Sequence, residues 1–101
     1  MSKKLSEIHP GEILVEEFIK PMGLSHARLA SDIDVPVSRI SEIVNGRRSI
    51  TVDTAVRLGV YFKMEPRFWL NLQAEYDVRM AERNLLPKIQ KRIRPLDIQV
   101  T

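Results

Sequence analysis

The chain contains no cysteine. That removes disulfides, thiolate zinc sites, iron–sulfur clusters and cysteine nucleophiles from consideration. Glycine is scarce, at four residues, and aromatic side chains make up 6% of the chain; no glycine-rich phosphate loop is present. Nowhere do 18 apolar residues follow one another, so no membrane-spanning helix is expected. The opening residues, Met1-Ser2-Lys3-Lys4-Leu5-Ser6-Glu7, have no apolar run behind their lysines, and the expectation is an unprocessed, soluble, cytoplasmic protein. Excess charge is small too: 16 Lys and Arg against 13 Asp and Glu leave +3. With 44% apolar and 29% charged residues in 101, the chain suits one globular domain with a single core.

Strand signals are few and helix punctuation is plentiful, so an all-α fold is expected. Pro10 suits a first-turn position and opens a helix to Lys20, stopped by Pro21 and Gly23. Ser25 is an N-cap for a short helix from His26 to about Ser31 or Ile33. A third helix follows Pro36 and carries Val37 to Val44, with Asn45-Gly46 as its stop. Thr51 or Asp53 caps a fourth, Thr54 to Phe62, whose inner stripe is Ala55, Leu58 and Phe62. Pro66 opens the fifth and longest, to Asn84, with Trp69, Leu72, Tyr76 and Met80 on one face. Residues 1–84 thus form the domain and 85–101 an extension. Pro87 can start a short helix through Ile93, while Leu96-Asp97-Ile98-Gln99-Val100 alternates as a strand does. The extension is expected to be either disordered or paired with another segment or chain.

The second and third helices, about residues 25–46, have the organisation of a helix-turn-helix. Ala30 is small enough for a close crossing, Val35 and Ile40 fill the junction, and Ile43 anchors the second helix of the pair. Val37, Ser38, Arg39, Ser41, Glu42 and Asn45 remain outward, and such small or polar groups suit a major groove about 12 Å wide.

Leu24-Ser25, Leu29-Ala30, Val35 and Ile40-Ser41-Glu42-Ile43-Val44-Asn45-Gly46-Arg47-Arg48 resemble the Xre or Cro/repressor-type helix-turn-helix. His9-Pro10-Gly11-Glu12-Ile13-Leu14 and Pro66-Arg67-Phe68-Trp69-Leu70-Asn71-Leu72-Gln73 resemble, more narrowly, the HigA (VapI-like) addiction-module antidote branch. The likeness covers roughly residues 8–80 and implies a five-helix Cro/repressor-like domain in which the helix after Pro36 reads DNA. By position it implies Val37, Ser38, Ser41 and Glu42 as base-edge readers, with Arg39 on a guanine edge or a phosphate. His26 stands where many Xre proteins carry Gln and is a phosphate contact; Asn45, Arg47 and Arg48 are backbone clamps. Pro36 and Val37 depart from the commoner Ser and Gln.

The same resemblance implies double-stranded operator DNA and a HigB-like ribonuclease toxin as partners, in a homodimer that represses its own operon. The acidic side of the first helix, Glu12, Glu16 and Glu17, is either a solvated face or a contact for such a basic toxin. Trp69, Tyr76 and Met80 are core or dimer interface. The basic residues Lys88, Lys91, Arg92 and Arg94 are a solvated face, a second phosphate contact or a toxin contact. His9 and His26, 17 residues apart without acids at ligand spacing, make no metal site, and no cofactor is expected. Ser38 and Ser41 lack an adjacent base, so an enzyme is not expected. Two other readings stay open: a stand-alone Xre-type repressor without a toxin, and a protein-interaction module that has lost DNA binding.

Overall fold

His9 starts the fold by turning its ring onto its own backbone. Its Nδ1 accepts a hydrogen bond of 2.9 Å from the Gly11 N–H, capping helix α1, Pro10–Leu14, whose first residue is proline. The computed structural model describes residues 7–97. Among them the chain forms six helices and no strand: α1, α2 (His26–Asp32), α3 (Val37–Val44), α4 (Val52–Phe62), α5 (Pro66–Asn84) and α6 (Leu86–Arg92). The five helices expected up to Asn84 are joined by α6, a short helix in the extension with Pro87 in its first turn. Residues 93–97 have no regular structure, and most of the alternating segment expected to resemble a strand lies outside the described residues.

The first helix departs from a uniform α-helix. After Leu14 it widens into a π-helical turn, Val15–Ile19. At 100° per residue Leu14 and Ile19 would point about 140° apart; a wider turn with i→i+5 bonds brings them toward one face. Both are buried. Phe18 then meets Phe62 and Trp69 at ring-centroid distances of 4.9 and 5.0 Å.

Local chemistry sets most of the other ends. Ser25 caps α2 by accepting from the Arg28 N–H at 3.0 Å, and Thr51, not Asp53, caps α4 by accepting from Thr54. Helix α4 consequently begins two residues earlier than its apolar pattern suggests. Helix α3 ends in a left-handed turn at Gly46, φ 76°, with the Gly46 N–H on the Ile43 carbonyl at 3.0 Å and the Arg47 N–H on the Glu42 carbonyl at 2.8 Å; this is a Schellman closure. The turn between α2 and α3 has the same geometry, with Asp34 at φ 59° and Val35 bonded to the Ala30 carbonyl at 2.9 Å.

The core joins Leu14, Ile19, Leu29, Ala30, Ile33, Ile40, Ile43, Ile50, Ala55, Leu58 and Trp69. Helix α1 crosses α3 so closely at Gly11 that a Cβ there would lie 2.0 Å from the Ile43 carbonyl oxygen. Trp69 is fully buried. It is therefore core and is withdrawn from the expected dimer surface, and its Nε1–H has no acceptor among the described residues. The expected face of α5 is also narrower than its spacing suggests: only Trp69 and Gln73 are buried, while Leu72, Tyr76 and Met80 are half-buried. Gln73 takes a structural role that spacing does not reveal, since its Oε1 accepts from the buried Ile50 N–H at 2.8 Å and its Nε2 donates to Asp77 at 2.9 Å.

Candidate nucleic-acid interface

Helix α3 is divided sharply by burial. Ile40 and Ile43 are completely buried, which turns the opposite side of the helix to solvent. Val37 is 49% exposed, Ser38, Asn45, Arg47 and Arg48 are exposed, and Arg39, Ser41 and Glu42 are half-buried. The residues expected to read bases and hold phosphates therefore lie together on α3 and the turn that closes it. His26 is half-buried in the first turn of α2.

Ion pairs divide these side chains into free and engaged groups. Arg48 holds Glu42 at 2.8 Å, so a base-reading candidate and a phosphate clamp occupy each other. Arg39 is also engaged: its Nη1 donates to Asp53 of α4 at 2.9 Å. Arg47 makes no ion pair among the described residues, and of the two turn arginines it is the one with its charge uncommitted.

Asp53 is the hub of a second cluster. The Arg57 guanidinium, ahead of Arg39, holds its carboxyl below the usual range. Arg57 donates from Nε to Asp53 at 3.0 Å and from Nη1 to the carbonyls of Ile33 and Asp34 at 2.9 and 3.1 Å. One side chain thus ties the turn between α2 and α3 to α4, while the carboxylate it orients holds Arg39 of α3. Tyr61 continues the cluster by donating to Asp32 at 2.5 Å, which raises the phenol above its ordinary value. The sequence offers Asp53 only as a candidate cap of α4, four residues before Arg57. Their i,i+4 spacing was the available signal for the pair; the contacts to residues 33, 34 and 39 had none.

The other expected sites lie elsewhere. Glu12, Glu16 and Glu17 are exposed on the first helix, where Lys20 pairs with Glu16 at 2.6 Å; the acidic side is partly neutralised from within. Tyr76 turns inward onto the edge of His9, centroids 5.0 Å apart. Among the described residues no helix is long and apolar enough to cross a membrane, and no group of three or more candidate ligands is placed to hold a metal ion.

Residues 15–69 match the helix-turn-helix family. Virulence-associated protein I of Dichelobacter nodosus is 53% identical over 81 residues, spanning 80% of this chain and 75% of that protein. The chain belongs to the Xre-type helix-turn-helix family, in its HigA (VapI-like) branch. A HigA-family addiction module antidote protein from Coxiella burnetii superposes with a TM-score of 0.80 at 47% identity, covering 89% of this chain and 98% of that one. The Pseudomonas aeruginosa antitoxin HigA, solved with the higBA promoter, gives 0.84 at 41% identity and covers 90% and 99%. The family's helix-turn-helix includes α2 and α3, the segment in which burial and capping leave one polar face outward.

Proposed function

We propose that this HigA-branch chain is a sequence-specific DNA-binding antitoxin. It acts as a homodimer that reads operator DNA with α3, represses its own operon and neutralises a HigB-like ribonuclease toxin by protein contact. The observation that carries the reading is the outward face of α3, closed by Gly46 and followed at once by the unpaired Arg47. In a groove-bound pose Val37, Ser38 and Ser41 meet base edges, with Val37 suited to a thymine methyl. Asn45 and Arg47 meet phosphates, and His26 does so from the start of α2. Glu42 accepts from a cytosine amino group only after Arg48 swings from it to the backbone, so the pair acts as a latch between two DNA contacts. Arg39, held by Asp53, meets a guanine edge or phosphate at the margin. The nearness of solved relatives bound to promoter or operator DNA supports this reading.

The test is titration of the dimer onto DNA from its own upstream region and onto scrambled DNA across a salt series. Replacing Arg47 by Ala weakens binding to all sequences and lowers the salt slope by about one. Replacing Ser41 by Ala or Glu42 by Gln changes preference among operators instead. The toxin half is tested by co-purification with the neighbouring gene product and rescue of cells expressing it. Promoter binding without either result makes the chain a stand-alone repressor; loss of all DNA preference with toxin binding intact makes it a protein-interaction module.

A further inference from the structure

Arg39 is the one cation in the sequence of α3 and stands in its first turn, beside Val37 and Ser38. The two sides of its guanidinium are used differently. Nη1 donates to Asp53 Oδ2 at 2.9 Å, whereas Nε and Nη2 make no hydrogen bond among the described residues. The side chain is 29% exposed, so one edge of the planar group is tethered and the adjacent edge is left to offer.

The tether is itself held. Arg57 Nε donates to the same Asp53 Oδ2 at 3.0 Å, and Arg57 Nη1 is anchored on the carbonyls of Ile33 and Asp34. The carboxylate is thus shared by two guanidiniums, one of them fixed to the turn before α3. The pair of Glu42 and Arg48 lacks this support, because neither partner is bonded to a third side chain among the described residues.

A loose arginine beside a duplex finds phosphate oxygens first, and those contacts carry no sequence information. Reading guanine instead requires two parallel N–H groups aimed at O6 and N7. A carboxylate on one corner of the guanidinium limits its rotation and leaves the adjacent N–H pair pointing one way. It also repels phosphate, and it orders the side chain before DNA arrives, which lowers the entropy lost on binding.

We infer that Asp53 is a specificity-determining residue that makes Arg39 a guanine reader instead of a phosphate clamp. The inference deepens the DNA-reading function proposed above and rests on it. Asp53 touches no base in this role. It is a positioning residue that acts through Arg39 and is set in place by Arg57. With two guanidiniums against one carboxylate the cluster keeps a net positive charge, so it is still drawn to DNA while its cations are withheld from the backbone.

The test is a set of duplexes carrying every single base-pair change in the operator, with scrambled DNA measured across a salt series. For the wild type, changing one G·C pair in each half-site is expected to weaken binding about tenfold or more, and Arg39→Ala removes that preference. Asp53→Asn is expected to lose the preference at the same pair and at no other. It should also bind scrambled DNA more tightly, with a salt slope raised by about one as the freed Arg39 takes a phosphate. In the Arg39→Ala background Asp53→Asn has no further effect on base preference. Arg39→Lys, which leaves Asp53 intact, loses the guanine preference but holds scrambled DNA as the wild type does, because an ammonium lacks the fork. Circular dichroism melts check that both variants are folded. A guanine preference kept in full by Asp53→Asn or by Arg39→Lys, or an equal weakening on every duplex in Asp53→Asn, overturns the role of Asp53 and leaves DNA reading standing. A wild type that does not distinguish operator from scrambled DNA overturns both.

Discussion

Helices α3 and α6 are nearly equal in length, eight residues and seven, but they are held in opposite ways. Helix α3 buries Ile40 and Ile43 completely, is crossed by α1 at Gly11, and reaches α4 through Arg39 and Asp53. Helix α6 buries none of its residues and packs chiefly on α5. The difference teaches that an outward-facing polar surface is only as well placed as the apolar face behind it. A helix this short has little stability of its own, so the orientation of Ser38 or Ser41 derives from contacts made on the other side of the backbone.

That contrast is open to direct attack. The largest effect is expected from Gly11→Ala, because the new Cβ falls 2.0 Å from the Ile43 carbonyl and must push α1 off α3. Overpacking of this sort costs about 3 kcal/mol, read as a lower midpoint in urea, and operator affinity falls with it. Arg57→Ala comes next: it removes the charged donor from the carbonyls of Ile33 and Asp34 and costs about 1 kcal/mol at this partly exposed site. Arg57→Lys does not restore the paired contacts, since an ammonium lacks the guanidinium fork.

A pH effect is expected at His9. Burial pushes its pKa below the ordinary 6.5, against the opposing pull of Asp77 and Glu12. As pH falls through about 6.5 the unfolded chain takes up the proton first, so stability is full above that value, declines through the window down to the depressed folded value, and levels off below it. Protonation also converts Nδ1 from acceptor to donor and removes the cap on α1. Thermal melts from about pH 5 to 8 should show this slope, and His9→Asn, which caps without titrating, should flatten it. The smallest effect belongs to the other side of the comparison: Leu86→Ala in α6 should change stability by less than about 0.5 kcal/mol. A loss as large as that of Gly11→Ala would erase the distinction between the two helices.

Much of the fold was legible because helix ends depend on interactions only a few residues long. Ser25 and Thr51 cap their own first turns, Pro10 and Pro66 open helices without surrendering a hydrogen bond, and Gly46 accepts the left-handed turn after α3. The helix-turn-helix follows from these signals together with the apolar residues Leu29, Ala30, Val35, Ile40 and Ile43. The π-helical turn after Leu14 was not legible, since nothing local in Val15–Ile19 calls for it; the demand comes from burying Ile19 beside Leu14.

The candidate site divides along the same line. The residue types on α3 and their outward direction could be read from spacing, because burying Ile40 and Ile43 dictates which side of an eight-residue helix is left. Their engagements could not. Arg39 finds Asp53 across 14 positions, and Arg57 finds Ile33 across 24; such separations leave no periodic trace. Likewise the spacing of Trp69, Tyr76 and Met80 on α5 is the same whether the face is covered by its own chain or by another. Only packing makes Trp69 core and leaves Val52, Val56 and Val60 bare, because a helix is specified by its nearest residues whereas the surface it loses to neighbours depends on where the distant parts of the chain arrive.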